Sequence, residues 1–238
     1  MKDFYFPSSY YIESRYNSLL DFSLYILKYW IILFCFLNPS FRIFDLFTLL
    51  LYLIIYFSIY DYFCYCNDIN AKNEELATLR ITTSVIPKIK YLLIYISLSI
   101  MFLIYFDLFF GWTILLLTSI IPIFITHNKL ENKLRPITYG LLYVIKIFIL
   151  YSVAYGFMDN KVFSQALVVS ILYNLVYIIA YWRKKNNLPK LSNLKLHLIR
   201  LLCYGLMSFF IINWFSYGLV LICMVFIFHY FIQKTYAF

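Results

Sequence analysis

The residues best suited to chemistry lie in one stretch, Cys64-Tyr65-Cys66-Asn67-Asp68-Ile69-Asn70-Ala71-Lys72-Asn73-Glu74-Glu75. Asp68 and Glu75 are seven apart, so on a continuous helix they share one face, with Asp61 a further seven residues back. Carboxylates in this pattern suit Mg²⁺, a hard cation that takes oxygen ligands and bridges to substrate phosphates. The alternative reading of the same residues is a solvated acidic helix end. Other chemistries have less to stand on. His127, His197 and His229 are far apart, and none has a neighbour at metal-ligand spacing, which argues against zinc hydrolysis. The cysteines at 35, 64, 66, 203 and 223 show no CxxC spacing and read as packing residues. Five glycines scattered singly make no phosphate loop.

The elements that must position these residues follow from composition. The chain has 238 residues, 64% hydrophobic, 23% aromatic and only 13% charged. Soluble domains carry charge on about a quarter of their residues, so this pattern predicts an integral membrane protein with no separate soluble domain. Spans of about 20 apolar residues are expected near 19–37, 43–66, 91–106, 109–125, 137–157, 163–182, 196–214 and 215–232. The fold class is therefore all-α, one polytopic domain over 1–238 with a bundle of about eight transmembrane helices. The third and fourth spans are joined so closely, around Asp107 and Gly111, that they must form a hairpin. The first eighteen residues lack the apolar stretch and small-residue cleavage site of a signal peptide, so the first span is expected to be retained.

Twenty Lys and Arg against eleven Asp and Glu give a net charge of +9. Eight spans place sixteen of those cations on one side, Arg15 and the loops 67–90 and 183–195 among them, and only Arg42 and Lys161 on the other. By the positive-inside rule both termini are cytoplasmic, in the cell membrane, and a nucleic-acid partner is not needed to account for the charge. The two longest connections, 67–90 and 183–195, are then both cytoplasmic, and chemistry is expected on that face.

Ionisable groups inside spans are functional candidates because burying them in lipid is costly. Lys28 and Lys146 each lie roughly 14 Å inside a span and Asp61 about 9 Å, with Asn174 roughly 12 Å deep in the sixth. These four could converge in one cytoplasm-facing cavity. The alternative is that Asp61 pairs with a lysine to lock helices together, or that the lysines snorkel. Asp21, Asp45 and Asp107 sit at span ends and ask for less explanation.

The 67–75 stretch resembles the first aspartate-rich motif of the UbiA-type prenyltransferase superfamily, NDxxDxxxD at the cytoplasmic end of the second helix. Asn67 and Asp68 match its opening pair, Ala71 replaces the middle aspartate, and Glu75 replaces the last. Arg80 to Pro87 resembles the family's Arg-rich approach to the third helix. Thr126 to Lys133 followed by Pro136 resembles its YSxxLKxxP segment, Gly156 the glycine closing the fifth helix, and Leu188-Pro189 its Thr-Leu-Pro. The likeness spans roughly residues 15 to 200. Family members usually have nine helices and a second, DxxxD motif, whereas here no Asp or Glu follows Asp159.

The resemblance implies a UbiA-like bundle that moves a polyprenyl group from its diphosphate to an acceptor. It implies Mg²⁺ held by Asn67, Asp68, Glu74 and Glu75, with Lys72, Arg80, Lys28 and Asn174 against the diphosphate. Asp68, Asp61 and Lys146 are the residues expected nearest the reaction, with Asp61 orienting the acceptor. The partners are a polyprenyl diphosphate or other lipid-linked substrate, and membrane lipids. Two alternatives stand beside this: phosphoribosyl transfer to a polyprenyl phosphate, of which Trp182-Arg183-Lys184-Lys185 is loosely reminiscent, and a non-catalytic polytopic protein acting as transporter, scaffold or complex subunit.

Overall fold

The computed structural model describes residues 6–15, 18–32, 34, 42–74, 86–131, 133–156, 160–210 and 224. Among them every regular element is helical: α1 (Ser9–Arg15), α2 (Leu19–Ile26) continued by a π-helical turn (Leu27–Ile32), α3 (Ile43–Glu74), α4 (Ile89–Tyr105), α5 (Gly111–Lys129), α6 (Arg135–Tyr155), α7 (Asn160–Lys185) and α8 (Asn193–Phe210). Among the described residues four segments are long and apolar enough to cross a membrane: Ile43–Ile69, Gly111–Lys129, Arg135–Tyr155 and Phe163–Lys185. Helix α4 is equally apolar but has 17 residues. Its outward face carries Leu93, Ile94, Leu98, Met101 and Phe102, a bulky apolar surface suited to lipid rather than water.

Several expected boundaries shift. The second span was expected to end near Cys66, yet α3 continues for two more turns to Glu74. No Pro or Gly interrupts this stretch, and Asp68 is held there by partners on α1, although Asn67, Asp68, Asn70 and Asn73 are weak helix formers. The sixth expected span lengthens at both ends into the 26-residue α7. The seventh appears as α8, and the eighth lies outside the described residues apart from 224. Helix α1 was not anticipated, because its seven residues are too few to show a hydrophobic period.

The chain divides into two compact units, 1–128 with 152–157, and 129–151 with 158–238. In the first, α4 and α5 are joined by the expected close connection. Asp107 turns the chain with a positive φ of 54°. The N–H of Leu108 then bonds back to the Leu103 carbonyl at 2.7 Å, the six-to-one closure of a helix C-terminus. Tyr52 on α3 pins the loop: its hydroxyl accepts the Phe110 N–H at 2.7 Å and donates to the Leu108 carbonyl at 3.2 Å. Gly156 closes α6 at φ +72°, where a Cβ would lie 3.2 Å from the Phe110 ring. Only glycine meets both conditions without strain.

Helix α5 runs in the same direction as α3. Near its start Phe110 stacks on Tyr52, and two turns from its end Phe124 packs on Tyr60 and Phe63, with centroids 5.2 and 5.3 Å apart. Its last turn, with His127 and Asn128, is thus at the same end of the unit as Asn67 and Asp68. In the second unit a tyrosine ladder joins α6 to α7, Tyr139 stacking on Tyr181 and Tyr143 on Tyr177, while Tyr173 stacks on Tyr204 of α8.

Candidate functional site

Because α3 is one unbroken helix, Asp61, Cys64 and Asp68 fall at the i, i+3 and i+7 positions of a single stripe. Helix α1 lies along that stripe. Arg15 grips Asp68 with both arms of its guanidinium, Nη2 donating to Oδ1 at 2.7 Å and Nη1 to Oδ2 at 2.8 Å. The Tyr10 hydroxyl donates to the same Oδ2 at 2.8 Å. Two turns back along α3, the backbone N–H of Tyr11 donates to Asp61 Oδ1 at 3.0 Å. Asp61 is 0% exposed and Asp68 5%, so water contributes little to either.

Aromatic packing seats α1. The Tyr10 ring, fully buried, meets Tyr65 edge-on at 5.4 Å, and Tyr11 does the same to Tyr60 at 5.0 Å while leaning on Phe57. The charges respond to this setting. Burial opposes the Arg15 cation, but its bonds to Asp68 outweigh that, and the guanidinium is held above its ordinary value. Burial, then the bond to Asp68, pushes the Tyr10 phenol well above its own. Tyr10 is therefore a neutral donor and Arg15 a permanent cation against one carboxylate.

The other expected residues are distributed as follows. Asn67 is half-buried beside Asp68, and Lys72 and Glu74 belong to the last turn of α3. Lys28 lies in the π-helical turn. Glu75 and Arg80 are outside the described residues. Lys146 and Asn174 are buried in the second unit. There the Asn174 amide donates to the Ser170 carbonyl at 2.8 Å and to the Tyr143 carbonyl at 3.4 Å, one turn from Lys146. The structure brings Asp61 and Asp68 under one cover, and Lys146 and Asn174 to one helix pair. In the basic stretch, Arg183 turns back to donate from Nε to the Pro189 carbonyl at 2.9 Å, closing the end of α7.

The donors at the Asp68 end are of the right type for Mg²⁺, since Asp68 and the Asn67 amide are hard oxygens. Their state is not right for it. Both Asp68 oxygens are engaged by Arg15 and Tyr10. Among the described residues no three His, Cys, Asp or Glu gather as a metal site. With α1 seated, these residues do not fit a metal ion.

Sequence reasoning missed Arg15, Tyr10 and Tyr11. Arg15 was counted as one cation among sixteen that set the topology, when its role is to neutralise Asp68. The only signal is that the first eighteen residues hold tyrosines and an arginine, while the second span carries Asp61 and Asp68 towards its end. The pairing distance of 53 residues gave no means of linking them. Comparison with known proteins finds no matching family model, no matching curated protein and no matching solved structure.

Proposed function

We propose that the protein is a membrane transferase of UbiA type, acting at the cytoplasmic face on a polyprenyl diphosphate. The observation that supports this best is the buried, charged constellation at the end of α3. Asp68 beside Asn67, with a guanidinium fork against it, lies where a membrane-length helix leaves its apolar stretch. Ionic groups are kept at such a depth when they serve a pathway or a substrate. Within this reading the apolar helices hold the prenyl chain, each buried CH₂ contributing about 0.8 kcal/mol. The charged end recognises the head, Lys72, Arg80 and Lys28 adding positive potential where negative charge grows on the leaving diphosphate. Within the same reading Asp61 orients the acceptor.

The test is thermal stability of the detergent-purified protein with geranylgeranyl diphosphate, with and without Mg²⁺. A ligand that binds the native state raises the melting temperature by mass action. The expected result is a stabilisation that Asp68→Ala abolishes. No shift in any combination sinks the reading.

A second reading, a non-catalytic polytopic protein, draws on one specific observation: the pair between Asp68 and Arg15 already satisfies the carboxylate that the first reading needs free. The absence of any acid after Asp159 points the same way. An acceptor screen following a positive stability shift separates the two, since only the transferase consumes the diphosphate.

A further inference from the structure

We propose that the turn from α7 into α8 is a binding site for an anionic phospholipid, its phosphate taken by the cations between Arg183 and Arg200 and its acyl chains by the outward leucines of α8.

The charge of the chain is not spread evenly. The first unit, 1–128 with 152–157, has eight Lys and Arg against nine Asp and Glu, whereas the second has twelve against two, so the whole positive excess belongs to the second. There, residues 183–200 carry six cations and no acid. Topology alone does not ask for this. Orientation in a membrane follows the placement of Lys and Arg, and acids beside them matter little. Leaving acids out does something else: it builds a positive potential that an anion from outside the segment must neutralise.

The turn is itself an ordered structure. Asn187 takes the left-handed conformation at φ 54°, and the Leu188 N–H bonds back to the Arg183 carbonyl at 2.9 Å, the closure of a helix C-terminus. On α7, Tyr177, Tyr181 and Lys185 follow at four-residue spacing and share one face. Lys185 Nζ stands 5.9 Å from the centre of the Tyr181 ring, and the Arg200 guanidinium reaches across from α8 to within 5.8 Å of the Tyr177 ring centre. Ring faces hold cations without neutralising them, so the positive charge of both persists. Lys184, Lys190 and Lys195 are exposed around them.

The neighbouring surface makes the anion a lipid. Trp182 is exposed beside these cations at the end of a membrane-length helix, and indole rings favour the headgroup level. Leu198, Leu202 and Leu206, all exposed, run at four-residue spacing along the outside of α8, with Lys195 one turn ahead of them. A soluble phosphate gains nothing from that stripe. A phospholipid meets the cations with its head and the leucines with its chains.

The test uses the full chain purified in dodecyl maltoside, titrated with dioleoylphosphatidylglycerol or dioleoylphosphatidylcholine, with bound lipid read by native mass spectrometry. The anionic lipid is expected to bind about tenfold more tightly than the zwitterionic one. Lys190→Gln with Lys195→Gln should weaken it about tenfold, and Arg at the same two positions should preserve it. Lys88→Gln with Lys90→Gln, the same loss of charge in the first unit, should leave it unchanged, and millimolar inorganic phosphate should not displace it.

Equal binding of the two lipids overturns the site. Equal weakening by the two Gln pairs also overturns it, because the attraction is then the net charge of the chain. Weakening by the Arg pair as much as by the Gln pair at 190 and 195 removes charge as the cause and overturns it too. Displacement by inorganic phosphate makes the turn a soluble-anion site and refutes the lipid.

Discussion

Helix α3 is anchored at two points about 24 Å apart, and the chemistry of the two anchors differs. At Tyr52 the partners are neutral: a phenol shared between the Phe110 N–H and the Leu108 carbonyl, a ring stack, and nearby a hydroxyl pair, Thr113 with Ser152. At Asp68 the anchor is a carboxylate gripped by a guanidinium. Neutral bonds of the first kind fasten the connection between α4 and α5 to α3. A buried charge pair is strong only while both partners are present, and removing either leaves a costly orphan. Breaking the first end leaves neutral groups unpaired, whereas breaking the second leaves a buried charge.

The largest effect should come from breaking the ionic end. Arg15→Ala leaves Asp68 buried without its cation and is expected to cost about 3 kcal/mol, read from chemical unfolding in detergent. Truncating Asp68 as well should recover part of that loss, which a merely steric role for Arg15 would not allow. If the single variant costs no more than an ordinary surface change, the contrast between the two ends collapses.

At the neutral end Tyr52→Phe strands the Phe110 N–H, and a loss of about 2 kcal/mol is expected, independent of salt. A salt dependence there equal to that of the Arg15 variant would contradict the assignment of the two chemistries. Gly156→Ala should cost about 1 to 2 kcal/mol from the left-handed backbone alone, with the Phe110 ring displaced besides. Its measurement by unfolding tests whether the closure of α6 is as rigid as the 3.2 Å approach implies.

The smallest effect, and the sharpest test of the charged end, is Tyr10→Phe. Losing one hydrogen bond to a carboxylate is worth about 1.5 kcal/mol. Because the phenol is raised in the folded protein, the folded state keeps the proton when the unfolded state releases it near pH 10. Stability from this group is therefore full below about pH 10 and declines as pH rises further. The gap between wild type and Tyr10→Phe should shrink along that alkaline limb. A gap that widens would show that Tyr10 does not donate to Asp68.

Much of this architecture was legible from the residues. The close connection around Asp107 and the placement of Asp68 and Asp61 on one helical stripe were each readable, because they depend on local spacing and on turn chemistry, whereas Gly156 was marked only by the resemblance. The extension of α3 to Glu74 was foreseen only as a condition, since a polar helix end and a polar loop look alike until packing chooses between them. Arg15 was legible as a charge and illegible as a partner.

The sequence by itself determined that the chain is helical, that several of its helices are long and apolar enough for a membrane, and that its acids are few and concentrated ahead of Glu75. Those properties follow from composition and period, which act over a few turns. Only the tertiary structure decided which cation meets which acid. Fifty-three residues separate Arg15 from Asp68, and the aromatic seat of α1 on Tyr60 and Tyr65, not any feature of the short helix alone, brings the two within 2.7 Å.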